Sequence, residues 1–533
     1  MAYRVLVSDK LAPEGVERLG AESEIEVDHQ PGLPANELLQ KIADYDALIV
    51  RSGTKVTEEV IAAGKRLKVI GRAGIGVDNV DVPAATRRGI VVMNTPGGNN
   101  VTTAEHAISM ALACARHIPA ADASLRSGKW ERSRFTGTEV TGKTFGVVGL
   151  GNIGRVVADR AAGLSMKVIA FDPFVTPETK PLEVEMVALE ELFERSDFIS
   201  VHVPLTGETK NLIDAAAIER MRPGVRIVNC ARGGIVDEEA LAEGLRSGKV
   251  AGAAIDVFVD EPPPENHPLL GLPGVVVTPH LGASTGEAQT NVAVAIAEQV
   301  GAFLCRGAIT AAVNMPALTP EQREHLGPFL DLGERLGALA SQLGSTDSAG
   351  APVSLEVEYR GEAGDYGTKT LTAAILRGLL VPILGDELNY VSAPIIARER
   401  GISVAETVSM QPGDYRNRIS VTVSFASGAR HEVAGAVFGR KTVRLVKIND
   451  FFLEAVPEGF ILMLYNRDVP GVVGQVGTLL GKGQVNIAGL ELGREGIGKR
   501  AVSLFHVDDP VPDNILDEVR QLPEVLNAAL LRL

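Results

Sequence analysis

Residues 145–172 read FGVVGLGNIGRVVADRAAGLSMKVIAFD, and this stretch decides how the surrounding chain folds. A short apolar run, Phe145 to Leu150, leads into Gly149-x-Gly151-x-x-Gly154. An Ala/Val-rich segment with helical spacing follows, stops at Gly163, and gives way to a second apolar run, Val168 to Phe171, closed by Asp172. The order is strand, glycine turn, helix, strand, acid. Gly149 permits the tight turn. Gly151 lets the backbone, with Asn152 and Ile153 beside it, approach a pyrophosphate, and Gly154 lets the helix lie close on the strand. The helix N-terminus presents free N–H groups and a positive dipole end to phosphates. Asp172 accepts hydrogen bonds from both hydroxyls of an adenine ribose and repels a 2′-phosphate, which favours NAD over NADP. A bare glycine turn would mean little. The flanking strands, the helix and the acid at the right distance make it a dinucleotide site.

Outward from that stretch, length and composition set bounds. A chain of 533 residues is too long for one core and implies three or four domains. Hydrophobic content of 45% with 22% charged residues is that of a soluble globular protein. The net charge of −15 argues against nucleic acid or an anionic membrane as partner, although a local arginine cluster still suits an anionic small substrate. Cys114, Cys230 and Cys305 are far apart and form no CxxC or Cys/His pattern, so neither a disulfide framework nor a metal site is expected. The start, MAYRVLVSDKLAPEG, reads as strand and turn, and no apolar run reaches membrane-spanning length; a cytoplasmic protein is expected.

Before the glycine turn, Tyr3–Ser8, Ala47–Val50, Val69–Gly71 and Val91–Met93 alternate with helical stretches, an α/β pattern with parallel-sheet character. Three loops follow strand ends: Arg51-Ser52-Gly53, Arg72-Ala73-Gly74-Ile75-Gly76, and Pro96-Gly97-Gly98-Asn99-Asn100. They offer a guanidinium, a hydroxyl, an amide and a glycine nest, either an anion cradle or solvated arginines beside turn glycines. One long helix is expected from Thr103 towards Trp130, followed by Glu131 and Arg132.

Beyond Asp172 the strand ends repeat at one edge. Ile199–Val203 ends in Pro204-Leu205-Thr206, and Arg226–Asn229 in Cys230-Ala231-Arg232-Gly233-Gly234. Gly252–Val257 carries Asp256 and precedes Glu261; Val275–Val277 ends in Thr278-Pro279-His280. Ligands of open α/β sheets sit at that carboxyl edge. Arginine holds a carboxylate through paired hydrogen bonds, and histidine takes a hydroxyl proton as hydride leaves. A glutamate bonded to that histidine fixes its tautomer and favours the imidazolium. Asp256 is placed to meet a nicotinamide carboxamide. Each of these residues alone has an ordinary structural reading; their shared edge argues for chemistry.

Residues 1 to about 315 resemble the D-isomer-specific 2-hydroxyacid dehydrogenase family. The resemblance is carried by Val148-Gly149-Leu150-Gly151-Asn152-Ile153-Gly154, Asn229-Cys230-Ala231-Arg232-Gly233-Gly234, Asp256-Val257-Phe258 with Glu261-Pro262, and Thr278-Pro279-His280. It implies Arg232, Glu261 and His280 as the catalytic set. It implies Thr206, Cys230, Ala231, Arg232, Asp256, His280 and Gly282 as cofactor contacts beside the glycine turn. The stretches Arg72–Asn79 and His280–Thr285 most resemble the branch that oxidises D-3-phosphoglycerate with NAD. That implies Arg51, Ser52, Gly74 and Asn99 as substrate contacts, with Arg132 reaching a neighbouring subunit's site. Siblings acting on hydroxypyruvate, glyoxylate or D-lactate usually end near residue 330, and an NAD-sensing corepressor on the same fold would carry a disordered or peptide-binding tail.

The implied architecture is a Rossmann-type doubly wound domain (99–285) inserted in a discontinuous flavodoxin-like domain (1–98 and 286–316). An α+β domain follows (317–457), similar to an intervening, allosteric substrate-binding type; there Arg440, Lys441 and Arg444 offer an anion site or a solvated basic strand. Residues 458–533 read strand, helix, strand, strand, helix, strand, a ferredoxin-like order. With Asn466-Arg467-Asp468-Val469-Pro470-Gly471 and Val485-Asn486-Ile487 they resemble an ACT domain. That resemblance implies Asn466, Asp468 and Asn486 as contacts for L-serine, or else a structural module without ligand. A homotetramer is expected from the shared arginine and the ACT domain together.

Overall fold

The computed structural model describes residues 2–176, 181, 184–316, 320–365, 367–385, 388–409, 414–439 and 441–533, so Arg440 lies outside the described residues. Two compact units emerge: residues 12–15 with 95–295, and residues 1–11, 16–94 and 296–533.

The first of these is built on a seven-stranded sheet whose paired strands all run parallel. From one edge the order is Val275–Val277, Val250–Ile255, Val225–Asn229, Phe198–Val201, Thr144–Val148, Lys167–Phe171 and Glu185–Met186. The chain enters at Thr144–Val148, winds outward through two strands, then returns to the other side of its starting strand. The carboxyl end of Thr144–Val148 is therefore the switch point where such sheets open a crevice. Helices cover both faces, which is why the central strands are apolar at nearly every position. On one face Asn100–Ala115 and Asn152–Gly163 bury Ala104, Ala107, Ala111, Val157, Ala158 and Ala161 against Phe145 and Val147. On the other, Leu192, Phe193, Ile218 and Leu241 close a second core over Ile199, Ile227 and Ala253.

The single long helix expected after Thr103 is two helices, Asn100–Ala115 and Ile118–Arg126, parted at His117 with φ +52°. Pro119 explains the break: it has no N–H to continue the ladder, and its ring would meet the carbonyl four residues back. The second helix buries none of its residues, and Trp130 beyond it is 76% exposed.

In the other unit, a five-stranded parallel sheet takes the order Ile25–His29, Tyr3–Val7, Ala47–Val50, Val69–Arg72 and Val91–Met93. This 2-1-3-4-5 order is the flavodoxin-like one. Its outer strand, Ile-Glu-Val-Asp-His, escaped the sequence because an edge strand is half solvated and carries charge. After helix Gly286–Arg306 the chain returns to this sheet: the Asn314 amide accepts from Val92 N–H (2.9 Å) and donates to Ile90 O (2.8 Å).

Farther on, helices Pro320–Thr346 and Thr368–Leu384 pack on a six-stranded sheet ordered Ser403–Ser409, Pro352–Arg360, Arg418–Phe425, Arg430–Phe438, Thr442–Ile448 and Phe451–Ala455. The chain ends in a four-stranded antiparallel sheet, Ile487–Arg494, Arg500–Val507, Phe460–Arg467 and Val525–Arg532, with helices Val472–Lys482 and Asp513–Arg520. Ile461, Met463, Val502 and Leu504 of this last sheet share one core with Phe451 and Leu453 of the preceding one. Among the described residues no helix is long and apolar enough to cross a membrane.

Candidate active site

The glycine turn meets the requirements that a dinucleotide imposes. Gly149 has φ +92°, and a Cβ there would lie 2.7 Å from His202 O, so both conformation and contact demand glycine. A Cβ on Gly154 would fall 1.9 Å from Gly149 O, which fixes how closely the helix lies on the turn. At Gly151, the N-cap of that helix, a Cβ would meet nothing within 4 Å. The open side of the turn is thus at the helix N-terminus, where N–H groups have no partner within the helix and a pyrophosphate fits. Asp172 closes the far end. Its Oδ2 accepts from Leu150 N–H (2.8 Å) and its Oδ1 from Phe174 N–H (2.8 Å), tying the second strand end to the turn. Each carboxylate oxygen keeps a lone pair for a ribose hydroxyl.

The next strand ends converge along this edge. Asn229 shapes the turn after its strand: its Oδ1 accepts from Ala231 N–H (3.0 Å) and its Nδ2 donates to Arg232 O (2.8 Å). Arg232 itself donates from Nη1 to Ala231 O at 2.7 Å. A Cβ on Gly233 would fall 2.0 Å from Phe258 O, so the Arg232 turn lies directly against the loop carrying Glu261. Glu261 Oε1 accepts from Phe258 N–H (3.1 Å), while Oε2 accepts from His280 Nδ1 at 2.8 Å. Burial pulls the Glu261 carboxyl upward, but the hydrogen bonds from His280 and Phe258 N–H outweigh it and leave it lowered. The hydrogen bond to Glu261 raises His280, against the opposing effect of burial. With Nδ1 engaged and the side chain about half exposed, His280 has Nε2 left for a substrate proton.

Asp256, expected to meet a nicotinamide carboxamide, is fully buried. Its Oδ1 accepts from Thr278 Oγ1 (2.5 Å) and Leu281 N–H (2.7 Å), and its Oδ2 from Gly282 N–H (2.9 Å). Burial would raise this carboxyl, yet the hydrogen bonds from His106, Thr278 and Leu281 hold it lowered and ionised. Burial pushes the Cys230 thiol up, and the neighbouring Asp256 charge adds to that. His106, Cys230 and Asp256 bring one ligand atom each within 4.8 Å of the others; His106 and Asp256 are hydrogen-bonded, and the raised Cys230 thiol stays protonated beside them. His106 and His202 were not foreseen. His202, partly buried behind Gly149 and 2.8 Å from Ser200 Oγ, is pushed down to about 4 by desolvation and stays neutral. The signal for His106 was a lone polar ring among the alanines of an apolar helix. Thr206 lies on an exposed turn, with Oγ1 3.1 Å from Thr209 Oγ1.

Asn99 caps helix Asn100–Ala115 without a side-chain bond, and Thr95 Oγ1, Asn99 Oδ1 and Asn100 Oδ1 are buried with no hydrogen-bond partner among the described residues. The Thr95 hydroxyl and the helix N–H groups can donate to an anion, whereas the two amide oxygens accept and call for a donor. Arg132 is exposed on the turn Arg132–Phe135. In the other unit, Arg51 donates from its backbone N–H to Asp9 Oδ2 (2.6 Å) and from Nη1 to Lys10 O (3.2 Å). Ser52 beside it is exposed, and Gly74 adopts φ +150°. Near the C-terminus Asn466 is buried, accepting from Ser503 Oγ (2.8 Å) and donating to Arg467 O (2.9 Å). Asp468 pairs with Arg494 at 3.3 Å, and Asn486 Nδ2 donates to Asp508 Oδ2 at 2.7 Å.

Comparison with known proteins fits this geometry. Residues 108–282 match the D-isomer specific 2-hydroxyacid dehydrogenase, NAD binding domain; 325–449 match the D-3-phosphoglycerate dehydrogenase intervening domain; and 460–524 match the ACT domain. Two solved structures, a glyoxylate reductase from Paecilomyes thermophila (30% identity, TM-score 0.54) and an NAD-dependent formate dehydrogenase from Staphylococcus aureus in complex with NAD (28%, 0.53), cover 58% and 59% of this chain. The chain covers 98% and 99% of theirs. A D-3-phosphoglycerate dehydrogenase from Archaeoglobus fulgidus is 44% identical over 99% of this chain and 100% of its own. One from Bacillus subtilis is 40% identical over the whole of both chains. The chain belongs to the D-3-phosphoglycerate dehydrogenase family, within the NAD-dependent D-isomer specific 2-hydroxyacid dehydrogenases.

Proposed function

We propose that the protein oxidises D-3-phosphoglycerate at C2 to 3-phosphohydroxypyruvate, the first committed step of L-serine biosynthesis. The observation that carries this reading is the His280–Glu261 pair, 2.8 Å apart, on the edge of an NAD-binding sheet. NAD, when bound, supplies the hydride acceptor. His280 Nε2 takes the proton from the C2 hydroxyl and returns it in the reverse direction. Glu261 holds the Nδ1–H tautomer and stabilises the imidazolium that forms. Arg232 holds the substrate carboxylate and polarises the adjacent carbonyl of the product. Asp172 receives the adenine ribose and sets the preference for NAD.

Arg51, Ser52, Gly74 and Asn99 are the substrate contacts in this reading, and Arg132 serves a neighbouring subunit. The domains follow the boundaries read from the sequence. The protein works in the cytoplasm as a homotetramer, an assembly that gives the exposed helix Ile118–Arg126 and Trp130 a partner. L-serine regulates it at the ACT domain through Asn466, Asp468 and Asn486.

The test follows NADH formation from NAD and 3-phosphoglycerate, with and without L-serine, beside D-lactate and glycerate as unphosphorylated substrates. Turnover selective for the phosphorylated acid is expected, with suppression by serine. Equal turnover of the unphosphorylated acids would overturn the substrate assignment, and indifference to serine the effector assignment.

A further inference from the structure

His280 sits in a left-handed conformation, φ +53°, that a side chain with a Cβ seldom adopts. Something must hold it there. The restraint comes from one buried carboxylate: Thr278, Leu281 and Gly282 all donate to Asp256, and His280 N–H donates to Asp256 O at 2.9 Å. The turn on both sides of His280 is therefore fastened to one residue. A carboxylate with no solvent contact needs its acceptor sites filled and its orientation fixed. The group that reaches it from outside the turn and its own strand is His106, on helix Asn100–Ala115. Its Nε2 lies 3.2 Å from Asp256 Oδ1 and 3.2 Å from Thr278 Oγ1. Thr278 spends its hydroxyl proton on Asp256, so Nε2 of His106 carries the hydrogen and donates to both oxygens.

We propose that His106 is a positioning residue: it locks buried Asp256 from the neighbouring helix, and through it the turn 278–282 that presents His280. This rests on the dehydrogenase reading only for its kinetic consequence; the placement of the turn is a property of the free protein. His106 Nε2 meets Asp256 Oδ1 and the Thr278 hydroxyl bound to it, so its contribution passes through Asp256 and that hydroxyl. The charges facing His280 are Glu261, Asp256 and Arg232, the first two raising it and the third lowering it. Without the His106 donor, burial draws the Asp256 carboxyl upward, and one of the two charges that favour His280 protonation is weakened. The proton acceptor then titrates at lower pH.

The test compares His106→Leu with His106→Gln, whose amide Nε2 reaches about as far as the imidazole Nε2 and still donates. Hydrogen–deuterium exchange at Leu281 and Gly282, measured on the full chain without substrate, reads the turn directly. In His106→Leu those amides are expected to exchange at least about tenfold faster, the loss of a hydrogen bond to a charged acceptor being worth at least that factor. NAD affinity, read by fluorescence titration, stays within about twofold. With 3-phosphoglycerate, kcat falls about tenfold or more with little change in KM, and the acid limb of the pH–rate profile moves to lower pH. His106→Gln restores both exchange and the acid limb. Wild-type exchange in His106→Leu would overturn the proposal, as would equal damage in both variants with an unmoved acid limb. An inactive wild-type protein would instead refute the assigned reaction, leaving the exchange experiment to decide on His106 by itself.

Discussion

The NAD edge and the ACT domain solve opposite problems with similar residues. Along the edge, polar side chains are fastened on one side and open on the other: Glu261 takes Phe258 N–H and turns its second oxygen to His280, whose Nε2 is left over. In the ACT domain each candidate effector residue is bonded to another residue of the domain. Asn466 is closed by Ser503 and Arg467 O, Asn486 by Asp508, and Asp468 by Arg494. A fold can carry the second arrangement for its own stability. The first leaves capacity unspent and holds His280 in a left-handed conformation through the bonds of its turn to Asp256. Unspent capacity, more than the type of residue, separates a reacting site from a structural one.

Replacing His280 with Asn attacks the contrast where it is strongest. The proton acceptor is lost while the turn keeps its backbone bonds to Asp256, so kcat should fall about 10³-fold with NAD affinity retained. NADH production in stopped-flow and NAD titration check the two halves. A loss of tenfold or less would mean that the open nitrogen is not the base.

The glycine turn permits a sharper division. A Cβ on Gly154 would sit 1.9 Å from Gly149 O, a backbone atom that cannot yield cheaply, whereas one on Gly151 would meet nothing within 4 Å. Gly154→Ala should therefore destabilise the nucleotide unit by about 2–3 kcal/mol, read in urea unfolding. Gly151→Ala should leave unfolding unchanged and weaken NAD by about tenfold, because the methyl occupies space that the pyrophosphate needs. Equal stability losses would show that Gly151 also serves the fold.

Glu261→Gln tests the electrostatic part of the edge. His280 accepts a proton in the oxidation direction, so activity is lost as pH falls through its raised pKa. The amide keeps an acceptor for Nδ1–H but removes the charge that raises His280 most. The acid limb should move to lower pH by about one unit, the lower end of the usual range because the pair is partly exposed. kcat should fall about 10- to 100-fold as the imidazolium loses its counter-charge. The stability linkage has the opposite sense: the His280 share is present below the unfolded histidine value and disappears as pH rises through the raised folded value. A limb that stays in place would assign it to another group.

The glycine turn, the strand ends and the edge they share were legible because backbone demands leave sharp traces: a required φ at Gly149, close approaches at Gly154 and Gly233, apolar runs where a sheet is covered on both faces. The flavodoxin-like class followed from the alternating pattern together with the family resemblance, whereas the full order 2-1-3-4-5 needed the structure, because its outer strand went unread. The half-solvated strands Ile25–His29 and Ser403–Ser409 were not legible, since their alternation carries charge or is lost altogether. The break at His117 was legible in principle from Pro119. Asp256 was seen at the right edge, but its surroundings were not legible, because a sequence places a carboxylate on a strand end without saying that three donors of the next turn, and a histidine 150 residues earlier in the chain, will surround it.

The smallest predicted effect lies in the ACT domain and bears on the other half of the contrast. If its residues serve the fold first, stability should follow burial. Asn466→Ala leaves the buried Ser503 hydroxyl without its acceptor and opens space between strands, costing about 1–3 kcal/mol of ACT-domain stability. Asn486→Ala removes one exposed bond to Asp508, and water replaces it at a cost below about 1 kcal/mol. Local unfolding followed by hydrogen exchange in strands Phe460–Arg467 and Arg500–Val507 distinguishes the two variants. Should Asn486→Ala cost nothing in stability yet raise the serine concentration needed for inhibition several-fold, its amide would be unspent capacity after all. The ACT surface would then resemble the NAD edge at that one residue, and Asn486 rather than Asn466 would be the place where a ligand is read.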